Sequence, residues 1–373
     1  MLLGFCWLAL LALPAQGAGR PDLFNTSDLP AGDGATTELG AKRARFIRVN
    51  SPTVMAADSP LHQPAPAELN LDSSRLELGL FNDIILTAAL EKTIYRNGTN
   101  FIATGVVDGW AESRVILVAE GDVLAGTISV PGLGLYQIRY AGNGLHKIVE
   151  VDVANIPGCT VVKKAPRNPR PIRLSRKKSP PIIGSEPGSF IEPPPIMSFG
   201  SLFAAGAIEP DASSNTNVDV MVVYTGAARI GAGGVSAMNT LIDLAVAEAN
   251  DAYANSLIPV TLNLVFRGEV TYTETGNAAT DLTRLQNPSD GQMDAVHAWR
   301  NQYGADLVCL FTETMQSTYA GLGYLMSSVS TNFSSYSFSV VRRIYATGNY
   351  TFLRMGRGLT YKLLDNVWRR FVG

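Results

Sequence analysis

The side chains able to do nucleophilic or metal chemistry are few and widely spaced. Histidine occurs three times, at His62, His146 and His297, and cysteine three times, at Cys6, Cys159 and Cys309. A zinc hydrolase centre commonly draws on two or three clustered histidines, and a structural zinc site on four closely spaced Cys or His ligands; neither pattern is present. Three cysteines also exclude a disulfide framework. The densest cluster is cationic: Lys163, Lys164, Arg167, Arg170, Arg173, Arg176, Lys177 and Lys178, with no acid between 163 and 178. Arg173, Arg176, Lys177 and Lys178 are set among prolines that hold the chain extended, a substrate form suited to a trypsin-like or subtilisin-like processing protease. The alternatives are a solvated charged linker and an arm that contacts an acidic polymer.

The elements that must position these groups are legible from texture. At 373 residues, 46% hydrophobic and 17% charged, the chain is globular and long enough for two domains. A formal net charge of -2 argues against a nucleic-acid partner for the chain as a whole. Residues 1–18 read as a signal peptide: Leu2–Leu13 is apolar, Pro14 breaks it, and Ala15–Ala18 offers small residues for cleavage. The apolar run is shorter than the about 20 residues that span a bilayer. Export is expected, with a secreted, extracellular product and no transmembrane span after signal removal; the alternative is an uncleaved membrane anchor. Sequons at Asn25, Asn97, Asn332 and Asn349 fit that route but carry little weight.

Residues 19–71 show little periodicity and read as a loose segment. Residues 72–158 hold short apolar runs separated by turn signals such as Asp108-Gly109, Glu120-Gly121 and Gly142-Asn143-Gly144, which predicts a small antiparallel β domain, a sandwich or roll. Residues 159–215 contain ten prolines and the basic run and read as a linker. From residue 216 strand and helix alternate. Val218–Tyr224 and Asp306–Phe311 are buried-strand runs, and Ser236–Asn255 spaces Met238, Leu241, Ile242, Ala245, Ala249 and Ala252 as a helix does. The overall expectation is α+β or mixed: an antiparallel β domain followed by an α/β domain.

The α/β region carries VDVMVVYTGAAR at 218–229, AVAEANDAYANSLIPVTLNLV at 245–265, DGQMDAVHAWRNQYGADLVCLF at 290–311, GLGYLM at 321–326 and GNYTF at 348–352. In this order the blocks resemble the amino-terminal half of a metzincin zinc endopeptidase, of the reprolysin-like, peptidyl-Asp metalloendopeptidase kind. LELGLFNDIILTA at 76–88 and EVDVANIPGC at 150–159 are similar to the propeptide preceding such domains. The resemblance implies a propeptide domain at 72–158 in contact with a peptidase domain at 216–373, zinc as cofactor, and an extended peptide or protein as substrate. It also implies that Gly321, Leu322, Gly323 and Tyr324 form the edge strand of the substrate cleft, whose backbone pairs with substrate. Cys159, near the propeptide's end, could then act as a cysteine switch or be an ordinary structural cysteine.

The family's zinc motif, H-E-x-x-H-x-x-G-x-x-H/D, should follow GNYTF. There the chain reads Leu353-Arg354-Met355-Gly356-Arg357-Gly358, placing Leu353 and Arg354 where His and Glu belong and Arg357 at the second His. Leucine has no lone pair and arginine stays cationic, so no catalytic zinc is expected on this chain. The peptidase domain reads as truncated, by a frame slip or by old loss. The expectation is therefore a zymogen by family, inactive in this copy; the alternative is an exported pseudoenzyme that binds peptide or protease. His297, on a helix, is expected to be a packed or surface residue.

Overall fold

The computed structural model describes residues 22–25, 34–35, 40–50, 75–97, 100–163, 216–316, 318–325 and 331–348. The leader, the processing residues Arg173, Arg176, Lys177 and Lys178, and the window Leu353, Arg354 and Arg357 lie outside the described residues, as does all but the first residue of Gly348–Leu364, a stretch whose sequence reads as a final helix.

The N-terminal region is one antiparallel sheet. Its strands are β1 (Phe24–Asn25), β2 (Gly34–Ala35), β3 (Ala41–Val49), β4 (Arg75–Phe81), β5 (Ile84–Asn97), β6 (Asn100–Val107), β7 (Trp110–Glu120), β8 (Val123–Val130), β9 (Gly134–Gly142) and β10 (Leu145–Val151). The order is β1-β3-β10-β9-β8-β7-β6-β5-β4, with β2 on β3. From β4 to β10 each strand pairs with the next, because the connections are short turns that reverse the chain. Gly109 (φ +78°) and Gly121 (φ +64°) take the left-handed conformations those turns need.

The sheet closes on itself. Asp22 bridges Glu77 of β4, and the Leu23 amide donates to the Glu77 carbonyl at 3.1 Å, so the two ends of the strand order meet. Alternate residues point inward, as in β6, and one core holds Leu23, Ile47, Leu78, Phe101, Leu117, Tyr136 and Ile138. The result is a barrel, where a sandwich or roll was expected. Residues 41–49, expected to be loose, supply the closing strand β3. Of its nine residues only Ile47 is fully buried, so its alternation is faint in the sequence.

The second region is a mixed sheet, built from β11 (Cys159–Lys163), β12 (Thr216–Thr225), β13 (Val260–Val270), β14 (Leu307–Thr312), β15 (Gly321–Leu325) and β16 (Phe338–Arg342). The order is β11-β15-β16-β14-β12-β13. Strands β12, β13, β14 and β16 run parallel, and β15 runs antiparallel to β16. Among the described residues four helices accompany them: α1 (Gly226–Ala232), α2 (Val235–Asn255), α3 (Ala278–Gln286) and α4 (Ala295–Tyr303). Val220, Val222, Cys309 and Phe311 face α2, whereas Met221, Val223, Val308 and Leu310 face α3 and α4. Burial on both faces explains the unbroken apolar runs of β12 and β14.

Helix α2 also has two neighbours. One side packs on the mixed sheet; on the other, Leu244 meets Ile116 and Val118 of β7 and Ala125 of β8 on the barrel's outer wall. No single helix among the described residues is long and apolar enough to cross a membrane.

Candidate substrate-cleft edge

Strand β15 sends Leu322 and Tyr324 into the α3-side core, where both are buried with Leu282 and Met315. Tyr324 stands edge-on to Tyr336 with ring centroids 5.3 Å apart, and burial raises its phenol above the usual range. The side chains are therefore committed to packing, and the backbone is what the strand can offer to a partner, as β-augmentation requires.

The loop before β15 is pinned from several sides. Glu274 accepts from the amides of Glu313 and Thr314 at 2.8 and 2.7 Å, from the Thr314 hydroxyl at 2.6 Å, and from the Thr225 hydroxyl. Gln316 accepts from the Ala278 amide at the start of α3 at 2.7 Å. Arg343, just after β16, grips the Glu313 carboxylate through two nitrogens at 2.5 and 2.8 Å. These charge-assisted bonds fix the approach to β15. Glu274, Glu313 and Arg343 were not singled out from sequence, since isolated polar residues in loops carry no spacing signal.

The expected cleft strand is not the last strand of its sheet. On one side β15 pairs antiparallel with β16, Gly321 opposite Val341. On the other side β11 lies parallel to it over five pairs, from Cys159 opposite Gly321 to Lys163 opposite Leu325. The Gly158 carbonyl extends the contact, accepting from the Ala320 amide at 3.2 Å. The first five residues of the segment read as a linker thus form a strand, because a neighbouring row of unpaired amides and carbonyls is a template for any extended segment within reach. Cys159 is half-buried and packs against the α2-side core.

The donor groups of the described residues do not fit zinc. Among the described residues no three His, Cys, Asp or Glu side chains converge on a cation site. His146 sits in the barrel wall; its Nε2 accepts from the Leu124 amide at 2.9 Å, and burial lowers its imidazole to about 4. His297 Nε2 bonds the Leu285 carbonyl at 3.0 Å, and its ring lies 5.1 Å from that of Phe338, a packed histidine as expected. Cys309 is fully buried and its thiol is pushed up to about 12. The family's set of zinc ligands is not assembled among the described residues, and the window of Leu353, Arg354 and Arg357 lies outside them.

A second polar feature lies where the two regions meet. Glu248 of α2 is buried, and accepts from the Thr127 hydroxyl of β8 at 2.5 Å and from the Gly348 amide with both oxygens at 2.9 Å. A glutamate within the Ala245, Ala249, Ala252 face of a helix was the available signal for it.

The family model Reprolysin_5, metallo-peptidase family M12, matches residues 214–359. The peptidyl-Asp metalloendopeptidase of Xanthomonas campestris pv. campestris is 34% identical over 356 residues, covering 92% of this chain and 75% of that protein. The one from Stenotrophomonas maltophilia strain R551-3 is 34% identical over 240 residues, 64% of this chain and 49% of its own length. The chain thus spans between about half and three quarters of the relatives it matches. Metalloproteinase-II from Bacteroides fragilis overlaps with a TM-score of 0.42 at 9% identity, over 76% of this chain and 79% of its own, a likeness too slight to bear on the fold. On the strength of the Xanthomonas relative, the chain belongs to the peptidyl-Asp metalloendopeptidases, a zinc metallopeptidase family of the reprolysin type.

Proposed function

We propose that this chain is the exported, latent precursor form of a peptidyl-Asp metalloendopeptidase, a protein built to bind extended peptide at β15, and that this copy does not turn peptide over. The barrel and β11 act as propeptide, residues 164–215 as the processing linker, and the region from 216 as the peptidase part. The observation that carries the reading is the five-pair ladder between β11 and β15. It supports a state in which the chain's own strand takes the place of substrate on the backbone edge.

The chemistry of the reaction would come from the family's zinc; the residues here do not supply its ligands, so no hydrolytic step is assigned to this chain. Cys159 is read as a ladder and packing residue, not as a switch ligand. Cleavage at Arg173, Arg176, Lys177 or Lys178 would leave β11 joined to the barrel. Exposing β15 therefore requires the barrel to let go as well.

The test is threefold on the full chain. Zinc content after equilibration and dialysis should stay well below one ion per chain, and a mixed library of fluorogenic peptides should show no turnover. A Thr160→Pro/Val161→Pro variant, in which one of two consecutive amides facing β15 is lost whatever the phase, should bind extended peptide saturably. Stoichiometric zinc with hydrolysis would overturn the inactive reading, and absence of peptide binding in the variant would overturn the cleft reading. A parent chain that binds peptide as well as the variant would overturn latency.

A further inference from the structure

The segment that leads out of β16 is held by the barrel. Ala346, Thr347 and Gly348 are buried, although they form no helix or strand. Gln137 of β9 donates to the Thr347 hydroxyl at 3.0 Å, and Arg139 of β9 reaches the Ile344 carbonyl at 3.3 Å while also bonding Gln137. Gly348 has φ +78°, and a Cβ there would lie 2.2 Å from the Gln137 amide nitrogen, so the bend is pressed against the barrel wall. Glu248 lies beneath, joining the three parts: β8 through Thr127, α2 through its own backbone, and the bend through Gly348.

Both groups that touch the Glu248 carboxyl are donors, and no Lys, Arg or His nitrogen among the described residues pairs with it. The nearby charges are otherwise engaged. One turn on, Asp251 bonds Asn255 and pairs with Arg114 of β7 at 3.5 Å. Asp243 is clasped by Arg96 of β5 and Arg267 of β13, each at 2.6 Å. Arg343, beside the bend, is taken by Glu313. Among the described residues a carboxylate in this place has these two donor groups and no cation, whereas the protonated acid needs no counter-charge and can turn its O–H onto the Thr127 hydroxyl oxygen.

We propose that Glu248 is a proton-operated fastener between the barrel and the Ala346-Thr347-Gly348 bend: the barrel holds the bend while the carboxyl carries its proton and loosens its hold when the carboxyl ionises. The fastened bend leads directly to the stretch that bears the zinc motif in the family. The barrel then acts on the peptidase part at two places, the edge strand β15 and this bend. The fastener operates whether or not this chain hydrolyses peptide.

Burial raises the Glu248 carboxyl from an ordinary 4.5 to about 7, only partly offset by the Thr127 and Gly348 bonds. A carboxyl that binds its proton more tightly in the docked state favours docking at low pH. The hold is complete below about 4.5, declines as pH rises towards 7, and is weakest above it. The separation of those two values corresponds to roughly 100-fold or more in the docking equilibrium.

The experiment follows the Gly348 amide by NMR and the hydrogen exchange of residues 344–348 in the full chain from pH 5 to 8, with rates corrected for intrinsic base catalysis. The Gly348 resonance is expected to titrate with a midpoint near 7. Corrected exchange should accelerate by about 10-fold or more across that range, while β7 amides such as Ile116 stay protected. Glu248→Gln should remove both responses. If that variant does not fold, Thr127→Val serves instead: it removes the barrel's donor, and should speed exchange of the bend and move the midpoint upward. A midpoint in the ordinary carboxylate range, or equal exchange profiles in parent and Glu248→Gln, would overturn the proposal. So would a response abolished by Asp251→Asn and untouched by Glu248→Gln.

Discussion

Cys159 lies directly opposite Gly321, the first pair of a parallel ladder that ends at Lys163 and Leu325. This pairing places the exit of the β barrel on the strand that, in a peptidase of this type, is expected to take an extended substrate. It also orders the events needed for exposure: a cut in the basic linker comes after β11 in the chain, so the barrel must depart with β11 attached.

The seam between barrel and α2 should depend on Asp243. This nearly buried carboxylate joins Arg96 of the barrel to Arg267 of β13, both at 2.6 Å. Asp243→Ala leaves two guanidiniums facing each other without the anion they share, Arg267 keeping only the Glu120 carboxylate at 3.6 Å. Because Arg96 is 40% exposed and keeps part of its hydration, the expected loss is about 1–3 kcal/mol, not the full cost of an orphaned buried charge. Denaturant unfolding with a probe on each region should show the seam separating earlier than in the parent.

Barrel stability should fall on mild acidification through His146. Its imidazole is 1% exposed, and burial lowers it from 6.5 to about 4. The unfolded chain binds this proton first, so the contribution is complete above about 6.5 and is lost as pH falls towards 4, for a total of about 3 kcal/mol. His146→Gln, which keeps an acceptor for the Leu124 amide, should flatten that part of the stability profile. The direction is opposite to that of Glu248, whose hold tightens on acidification, so a barrel that loosens internally at pH 5 can still stay docked.

Gly105 is a point where the barrel admits no side chain. A Cβ would lie 2.1 Å from the Ala89 carbonyl oxygen and 2.8 Å from the Leu90 Cα, backbone atoms that cannot rotate aside. Gly105→Ala should cost at the upper end of the about 1–3 kcal/mol typical of overpacking. Gly79→Ala, where a Cβ meets nothing within 4 Å, is the control and should be close to neutral in the same unfolding experiment.

Much of the peptidase part was readable because its signals are strong. VDVMVVY and DLVCLF are long apolar runs, and both became central strands buried on two faces. Gly233 and Gly234, both at positive φ, break the chain before α2, and Asn277, which was not singled out from sequence, caps α3 by accepting from Ala279 and Thr280 at 3.0 and 3.1 Å. The turns between 75 and 151 likewise marked the hairpins. What escaped was long-range pairing. β3 reads AKRARFIRV, in which Arg43 and Arg45 share a face with its one fully buried side chain, Ile47, and its partners β10 and β1 lie far away or in a poorly patterned segment. β11 is held by backbone pairing, which leaves no trace in side-chain periodicity. Glu248 was visible as an acid within an alanine-rich helix face, but its partners Thr127 and Gly348 are 121 and 100 residues distant.

The latent edge can be probed most directly by amide hydrogen exchange over Leu322–Leu325 in the full chain and in Thr160→Pro/Val161→Pro. The ladder predicts slow exchange in the parent. In the variant it should be faster by about 10-fold or more at the amides that face β11, with β14 unchanged. Equal exchange in the two proteins would show that β11 does not cover β15, and would contradict the self-occupied cleft at the centre of this account.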